Sequence, residues 1–210
     1  TILVVAIVTI LNTLMLSAFT STSEYVVSQR EHMTKLLSVV TELSDTLIEV
    51  PTTDDKLNRA VEHVRNALEL YHVQIFLADA SSGIAVLHAG TGFIGRELLE
   101  EDNLSQPNER SPINDILRQK FWRLITENDP PEQRVGFLPA TRSELLLPLR
   151  VGDLMPLGVL DLHGTQPDTF SEELIDILIA LSNHLAAALY SRQQAGALKN
   201  VLAENTRLVD

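Results

Sequence analysis

The chain has 210 residues, of which 45% are hydrophobic, and its formal net charge is −12. This hydrophobic content supports a globular core and excludes global disorder, while the negative charge disfavours nucleic acids and anionic lipid surfaces as partners. The absence of cysteine excludes disulfides, thiolate metal sites, cysteine nucleophiles and thioether-linked chromophores.

The first 20 residues carry no charged side chain. A helix of this length spans about 30 Å, the thickness of a bilayer core. A buried core helix or the apolar part of a signal peptide has a similar composition. Because the helical pattern continues past residue 20 without a cleavage site, we expect a transmembrane helix at 1–20 that inserts into the lipid bilayer.

Residues 21–50 predict a linker helix with the seam of a coiled coil. Their apolar side chains recur in steps of three and four, at Met33, Leu36, Val40, Leu43, Leu47 and Val50. An amphipathic helix that packs on its own domain would show the same pattern, and one helix can do both.

After Pro51 the pattern changes to helices alternating with short strands. Helices are expected at about 55–70, near 96–101, from Ser111-Pro112 to Lys120, and from Ser171 onwards. Strands are expected at 72–79, 84–89, 121–126, 143–151 and 157–163, with hairpin turns at Asp79–Gly83 and Gly152-Asp153. Apart from the short helix, 90–111 is expected to be irregular, as in a binding loop. This order predicts an α+β domain with an antiparallel sheet and helices on one face.

The last helix repeats the seam through Leu174, Leu178, Leu181, Leu185 and Ala188. Beyond Gly196 the apolar spacing starts again and includes Asn205, which is either a register-fixing polar residue or a solvated end. We expect the first and last helices to pair in a homodimer.

The second half of the chain resembles a bacterial GAF domain. The resemblance is carried by R-S-E-L at Arg142–Leu145, P-L at Pro148-Leu149, G-V-L-D-L at Gly158–Leu162 and F-S-E-E at Phe170–Glu173, and it extends over about 36–193. It implies a GAF core at 51–193, a C-terminal coiled-coil signalling helix at 194–210, and a cytoplasmic sensor domain on a membrane anchor.

Such modules are usually dimeric and joined to a histidine kinase, as in two-component systems, or to a nucleotide cyclase. The resemblance therefore implies a non-catalytic regulatory module. A structural interaction subunit of a membrane complex, with a filled pocket, is the alternative. The signature of cyclic-nucleotide-binding members is not visible, and members that hold bilins or reduce methionine sulfoxide use cysteines that this chain lacks. The sequence identifies no cofactor: a pocket for an unassigned small molecule, a haem site and no ligand at all stay open.

The resemblance also implies a ligand cavity on the sheet face opposite the helical bundle, covered by the 90–120 segment. The candidates that map to it are Gln74, Phe76, His88, Trp122, Asp161 and His163. Asp161 and His163 share one strand face, so they form either an acid–imidazole pair or a structural hydrogen bond.

None of the six histidines has a partner at metal-ligand spacing, so no metal site is predicted. The glycines of Gly90-Thr-Gly92 and Gly95 resemble a phosphate-binding loop but lack its Lys-Ser/Thr, so no phosphate site is predicted.

Overall fold

The computed structural model describes residues 54–100, 111–134, 136 and 138–207. The transmembrane helix expected at 1–20 and the linker helix expected at 21–50 lie outside these residues and stay predictions.

A five-stranded antiparallel sheet forms the centre of the domain. Its strands, in the spatial order β2-β1-β5-β4-β3, are β1 (His72–Ala78), β2 (Ala85–Gly90), β3 (Arg123–Thr126), β4 (Ser143–Leu149) and β5 (Gly158–Gly164). In the part of the chain that the structure describes, four helices accompany it: α1 (Asp54–Ala67), α2 (Gly92–Glu100), α3 (Pro112–Gln119) and α4 (Glu172–Arg207), with a 3-10 turn at Pro131–Gln133. The predicted α+β class is confirmed.

The two faces of the sheet bury different helices, because side chains alternate along each strand. One face packs against α1 and α4 and forms the larger core, which includes Val73, Ile75, Leu145, Leu147, Leu160, Leu162, Leu178, Leu181 and Leu185. The opposite face packs against α3 and forms a smaller core that includes Phe76, Leu146, Val159, Ile113, Ile116 and Leu117. Within the segment expected to cover this second face, residues 112–119 pack against it.

Local capping fixes where two of the helices begin. The Ser111 side chain accepts a hydrogen bond from the backbone N–H of Asn114 at 3.3 Å, and Pro112 occupies the first helical turn. Ser171 Oγ accepts from the backbone N–H of Leu174 at 3.3 Å in the same way at the start of α4. Both predicted N-caps are confirmed.

The strand expected at 121–126 begins only at Arg123. Lys120 ends α3 in the left-handed conformation, with a φ of 65°, and redirects the chain. As a result Phe121 and Trp122 lie outside the ladder, with 73% and 46% of their surface exposed.

The stretch expected to be mostly irregular holds the helix α2, which is longer than the predicted short helix near 96–101. Its first turn closes when the Gly95 N–H donates to the Thr91 carbonyl at 3.0 Å. A Cβ on Gly95 would lie 2.1 Å from the carbonyl carbon of Gly90, so the glycines serve the close approach of α2 to β2. These glycines led to the prediction of an irregular segment, whereas in the structure they allow a helix and a strand to pack closely.

Helix α4 is 36 residues long and differs along its length. Its predicted seam residues Leu178, Leu181 and Leu185 are buried against the sheet of their own domain, whereas all side chains of Ser191–Lys199 are exposed. Among the described residues, Glu172–Lys199 is long and apolar enough to cross a membrane. That is weak evidence of a span, since the core helix of a soluble domain has the same composition.

Candidate functional site

A group of buried polar side chains lies on the α3 face of the sheet, at the end of three neighbouring strands. This polar cluster consists of His72 and Gln74 from β1, Glu144 from β4, and Asp161 and His163 from β5. The antiparallel register pairs His72 with His163, Gln74 with Asp161, and Glu144 with His163, which places all five side chains on one face. None is more than 4% exposed, so the cluster is closed to solvent.

Asp161 is the hydrogen-bonding centre of the cluster. Gln74 Nε2 donates to Asp161 Oδ2 at 2.6 Å, and His163 Nε2 lies 3.2 Å from the same oxygen. His72 Nε2 in turn lies 3.4 Å from Gln74 Oε1. Asp161 Oδ2 therefore contacts both the Gln74 amide and the His163 ring, and the Gln74 amide also contacts the His72 ring.

Two threonines fix the far sides of the imidazole rings. Thr91 Oγ1 lies 3.0 Å from His72 Nδ1 and accepts from the backbone N–H of Val73 at 3.0 Å. Thr141 Oγ1 lies 3.1 Å from His163 Nδ1 and accepts from the backbone N–H of Leu138 at 3.2 Å. Burial, and then the neighbouring His163, lower the pKa of His72 from 6.5 to about 4, so His72 is neutral at physiological pH.

Glu144 is the unsatisfied member of the cluster. Among the described residues neither of its carboxylate oxygens has a hydrogen-bond partner, and neither has Asp161 Oδ1. Burial, and then the Asp161 carboxylate beside it, raise the pKa of Glu144 well above its ordinary value of 4.5. A Cβ on Gly136 would lie 2.5 Å from Glu144 Oε1, so the backbone after the 3-10 turn covers this carboxylate directly.

The chemistry of the cluster is that of a cation or proton binder. The ligand atoms of Glu144, Asp161 and His163 all lie within 4.8 Å of one another and are buried. Two carboxylates and one imidazole attract positive charge.

The structure brings together half of the side chains expected to line a pocket. Gln74, Asp161 and His163 belong to the polar cluster. Phe76 lies on the same face two residues further along β1, in the smaller core with α3.

The other two candidates are not in the cluster. Half-buried His88 lies at the β-bulge of β2, where the pairing shifts between Ile75 and Phe76. Trp122 is largely exposed because the chain turns at Lys120, so its assignment to the sheet is corrected.

Sequence reasoning missed four members of the site and its surroundings: His72, Glu144, Thr91 and Thr141. A signal was present for Glu144, because it is the only charged residue of the strand S-E-L-L-L-P-L and an isolated carboxylate in an apolar strand needs a partner. The threonines come from the connection between β2 and α2 and from the turn before β4, and no periodicity marks them.

The family model described as the GAF domain matches residues 52–189. No characterised protein sequence matches the chain significantly. The matched range includes the whole sheet and all five members of the polar cluster.

Several solved structures share the fold at low identity. The free methionine-R-sulfoxide reductase of Neisseria meningitidis, solved with its substrate, superimposes with a TM-score of 0.63 at 18% identity, covering 76% of this chain and 91% of that one. The GAF domain of a phosphoenolpyruvate-protein phosphotransferase from Coxiella burnetii has a TM-score of 0.63 at 18% identity, with 78% and 98% covered.

The GAF domain of a putative sensor histidine kinase from Pseudomonas syringae pv. tomato has a TM-score of 0.56 at 19% identity, with 81% and 97% covered. At these identities the likeness establishes the fold and does not identify a ligand.

Proposed function

The chain belongs to the GAF domain family, and we propose that it is a non-catalytic sensory module of a membrane-anchored signalling protein. In this proposal the polar cluster is the sensing element. Helix α4, paired with its copy in a homodimer, carries the change to an output domain such as a histidine kinase or a nucleotide cyclase. The membrane anchor is the segment 1–20, which lies outside the described residues.

The observation that carries the proposal is the position of α4 on the strands of the cluster. Glu144 and Leu145 are neighbours on β4, and Leu162 lies between Asp161 and His163 on β5. Glu144, Asp161 and His163 face the cluster, while Leu145 and Leu162 share the larger core with α4. A displacement of β4 or β5 at the cluster therefore moves the leucines that hold α4, because packed cores transmit strain.

The exposed part of α4 supplies the output. The helix continues from Tyr190 to Arg207, a length of about 27 Å, and its side chains at Ser191–Lys199 are exposed. Leu198 is 61% exposed on this stretch. An exposed leucine on a projecting helix favours pairing with another helix, and a change in helix packing needs only a few kcal/mol of differential binding.

The chemistry of the site supports a binding role over catalysis. The reductases that share the fold are the enzymatic rivals, and reduction of a sulfoxide by thiol chemistry requires a cysteine that these 210 residues lack. The polar cluster is also closed to substrates of that size. The fold likeness to a GAF domain from a putative sensor histidine kinase is in keeping with a sensory role.

A structural interaction subunit is the second candidate, because the part of the face beyond the cluster is filled. Phe76, Leu146 and Val159 pack against α3, so no ligand is needed to complete that core. In this case the domain would dimerise or anchor a complex without responding to the cluster.

Disulfide crosslinking tests the dimer, since the chain has no native cysteine. We expect Leu198→Cys chains to crosslink rapidly under mild oxidation because the projecting helices are adjacent. Leu154→Cys, in the exposed turn between β4 and β5, is the matched control and should crosslink only at the collision rate. Equal rates for the two variants would contradict the proposed dimer.

The same assay separates a sensor from a structural subunit. Adding Glu144→Gln to Leu198→Cys changes the charge of the cluster without touching α4, so in a sensor the crosslinking rate should change severalfold. A rate unaffected by Glu144→Gln, with the dimer intact, would favour the structural subunit.

A further inference from the structure

We propose that Glu144, Asp161 and His163 form a binding site for one divalent transition-metal ion. The role of this ion as the input signal of the module rests on the proposed sensory function. Binding of the ion does not depend on that function and can be measured separately.

The geometry of the three side chains suits a single ion. Their ligand atoms lie within 4.8 Å of one another, and His163 Nε2 is 3.2 Å from Asp161 Oδ2. Two ligands at about 2.1 Å from one metal are separated by about this distance when the angle between them is near 100°. Small side-chain rotations of Glu144 bring the third ligand to the same centre.

Unpartnered oxygens provide an independent indication of a missing positive charge. Glu144 Oε1, Glu144 Oε2 and Asp161 Oδ1 are buried without a hydrogen-bond donor among the described residues. Buried carboxylates are normally paired with a cation or coordinated to a metal, because removing them from water is costly. The Glu144 side chain is fully buried and lies against a second carboxylate, so a divalent cation would relieve both defects at once.

The surrounding hydrogen bonds orient the ligands as outer-shell groups do in metal sites. When His163 donates its Nδ1–H to Thr141 Oγ1, at 3.1 Å, the lone pair of Nε2 points towards the carboxylates. Gln74 Nε2 donates to Asp161 Oδ2 at 2.6 Å and so fixes the orientation of this carboxylate.

The donor set limits the kind of metal. Two carboxylates and one imidazole suit Mn²⁺, Fe²⁺ or Zn²⁺, and the chain offers no thiolate for a softer ion. A protonated amine, or a proton shared between Glu144 and Asp161, would also neutralise the negative charge of the carboxylates. The test below distinguishes both from a metal ion.

Metal analysis of the full 210-residue chain, purified in mild detergent, tests the proposal. After treatment with a chelator, the protein is incubated overnight with Mn²⁺ or Zn²⁺, dialysed, and measured by elemental analysis and by calorimetric titration. We expect one ion per chain. Glu144→Gln and His163→Asn should each weaken metal binding at least tenfold. The control variants Glu132→Gln and His184→Asn change exposed residues and should leave metal binding unchanged.

Circular dichroism and thermal melting of each variant show whether it is folded. We expect the ion to raise the melting temperature of the wild type and not that of the folded Glu144→Gln protein. Binding retained in both site variants, stoichiometry far from one, or stabilisation by methylammonium instead of metal would overturn the metal site. If neither probe stabilises the wild type, a shared proton accounts for the cluster and the proposal is wrong.

The two proposals fail separately. If no metal binds but Glu144→Gln still changes crosslinking at residue 198, only the metal is excluded. If metal binds and crosslinking never responds to the ion or to Glu144→Gln, the site is a metal site and the proposed relay is wrong.

Discussion

Glu144 concentrates the energetic cost of the site in one side chain. It is the only charged residue of β4, its two oxygens are unpartnered among the described residues, and a second carboxylate, that of Asp161, lies within 4.8 Å. A residue that served only the stability of the sheet would be apolar at this position. A buried carboxylate at this position is what the proposed binding role would require.

This cost predicts that Glu144→Gln stabilises the metal-free protein. The amide keeps the shape of the side chain and is neutral without taking up a proton, so it avoids the cost of burying or protonating a carboxylate. We therefore expect the free energy of unfolding at neutral pH to rise by about 1–3 kcal/mol. Urea unfolding at neutral pH with a chelator present measures it.

Asp161→Ala is the matched comparison within the cluster. It leaves Gln74 Nε2 without its acceptor at 2.6 Å, so we expect stability to fall by about 1–3 kcal/mol. A Glu144→Gln protein less stable than the wild type under these conditions would show that the carboxylate is satisfied, and would contradict its proposed role.

At the level of single residues, the sequence predicted that three polar side chains of the cluster lie on one face of the sheet. Gln74, Asp161 and His163 followed from the period of two and from the resemblance of the G-V-L-D-L strand. Glu144 did not, because the pairing of Glu144 with His163 depends on the register across the hairpin loop between β4 and β5. A loop longer than a tight two-residue turn does not fix that register from sequence.

The contact between α2 and β2 explains why a helix lies in a segment whose glycine-rich composition predicts a loop. Gly90 and Gly95 bring two backbones together so closely that a Cβ on Gly90 would lie 2.8 Å from the Cα of Gly95. Gly92, with a φ of 64°, turns the chain between them. Composition alone cannot distinguish glycines that pack from glycines that loosen a chain.

Substituting glycines in two helices separates these roles. Gly95→Ala would place its Cβ against the Gly90 backbone, so we expect a loss of about 1–3 kcal/mol or more. Gly196→Ala, in exposed α4 with no atom near its Cβ, should add about 0.5–1 kcal/mol of helix stability. Thermal unfolding of both variants checks the pair, and a tolerated Gly95→Ala would contradict the close packing of α2.

The elements that the sequence predicted well have strong local signals. Ser111-Pro112 and Ser171 cap their helices as expected, and Gly83 and Gly152 adopt positive φ in the two hairpin connections. The start of β3 failed because Lys120, a residue without special turn propensity, takes the left-handed conformation. The turn is a left-handed helix end, closed by the Lys120 N–H donating to the Ile116 carbonyl at 2.9 Å, and it lacks the glycine that usually marks such an end in a sequence.

In the molecule as a whole, one sheet serves two environments. Its α3 face holds the polar cluster, and its other face holds α1 and α4, so β4 and β5 lie between the buried polar groups and α4. The seam predicted for dimerisation is largely used inside the domain, since Leu178, Leu181 and Leu185 pack on the sheet. In the proposed dimer, α4 would therefore pair through its exposed part, where Leu198 lies.

The most direct test of the relay is a distance measurement between copies of α4. A spin label on Leu198→Cys, read by double electron–electron resonance in the full chain, reports the separation of the two helices with and without Glu144→Gln. We expect a narrow distance distribution that shifts when the buried charge is removed. Labels without dipolar coupling, or a distribution identical in both proteins, would contradict a dimeric module that senses through its polar cluster.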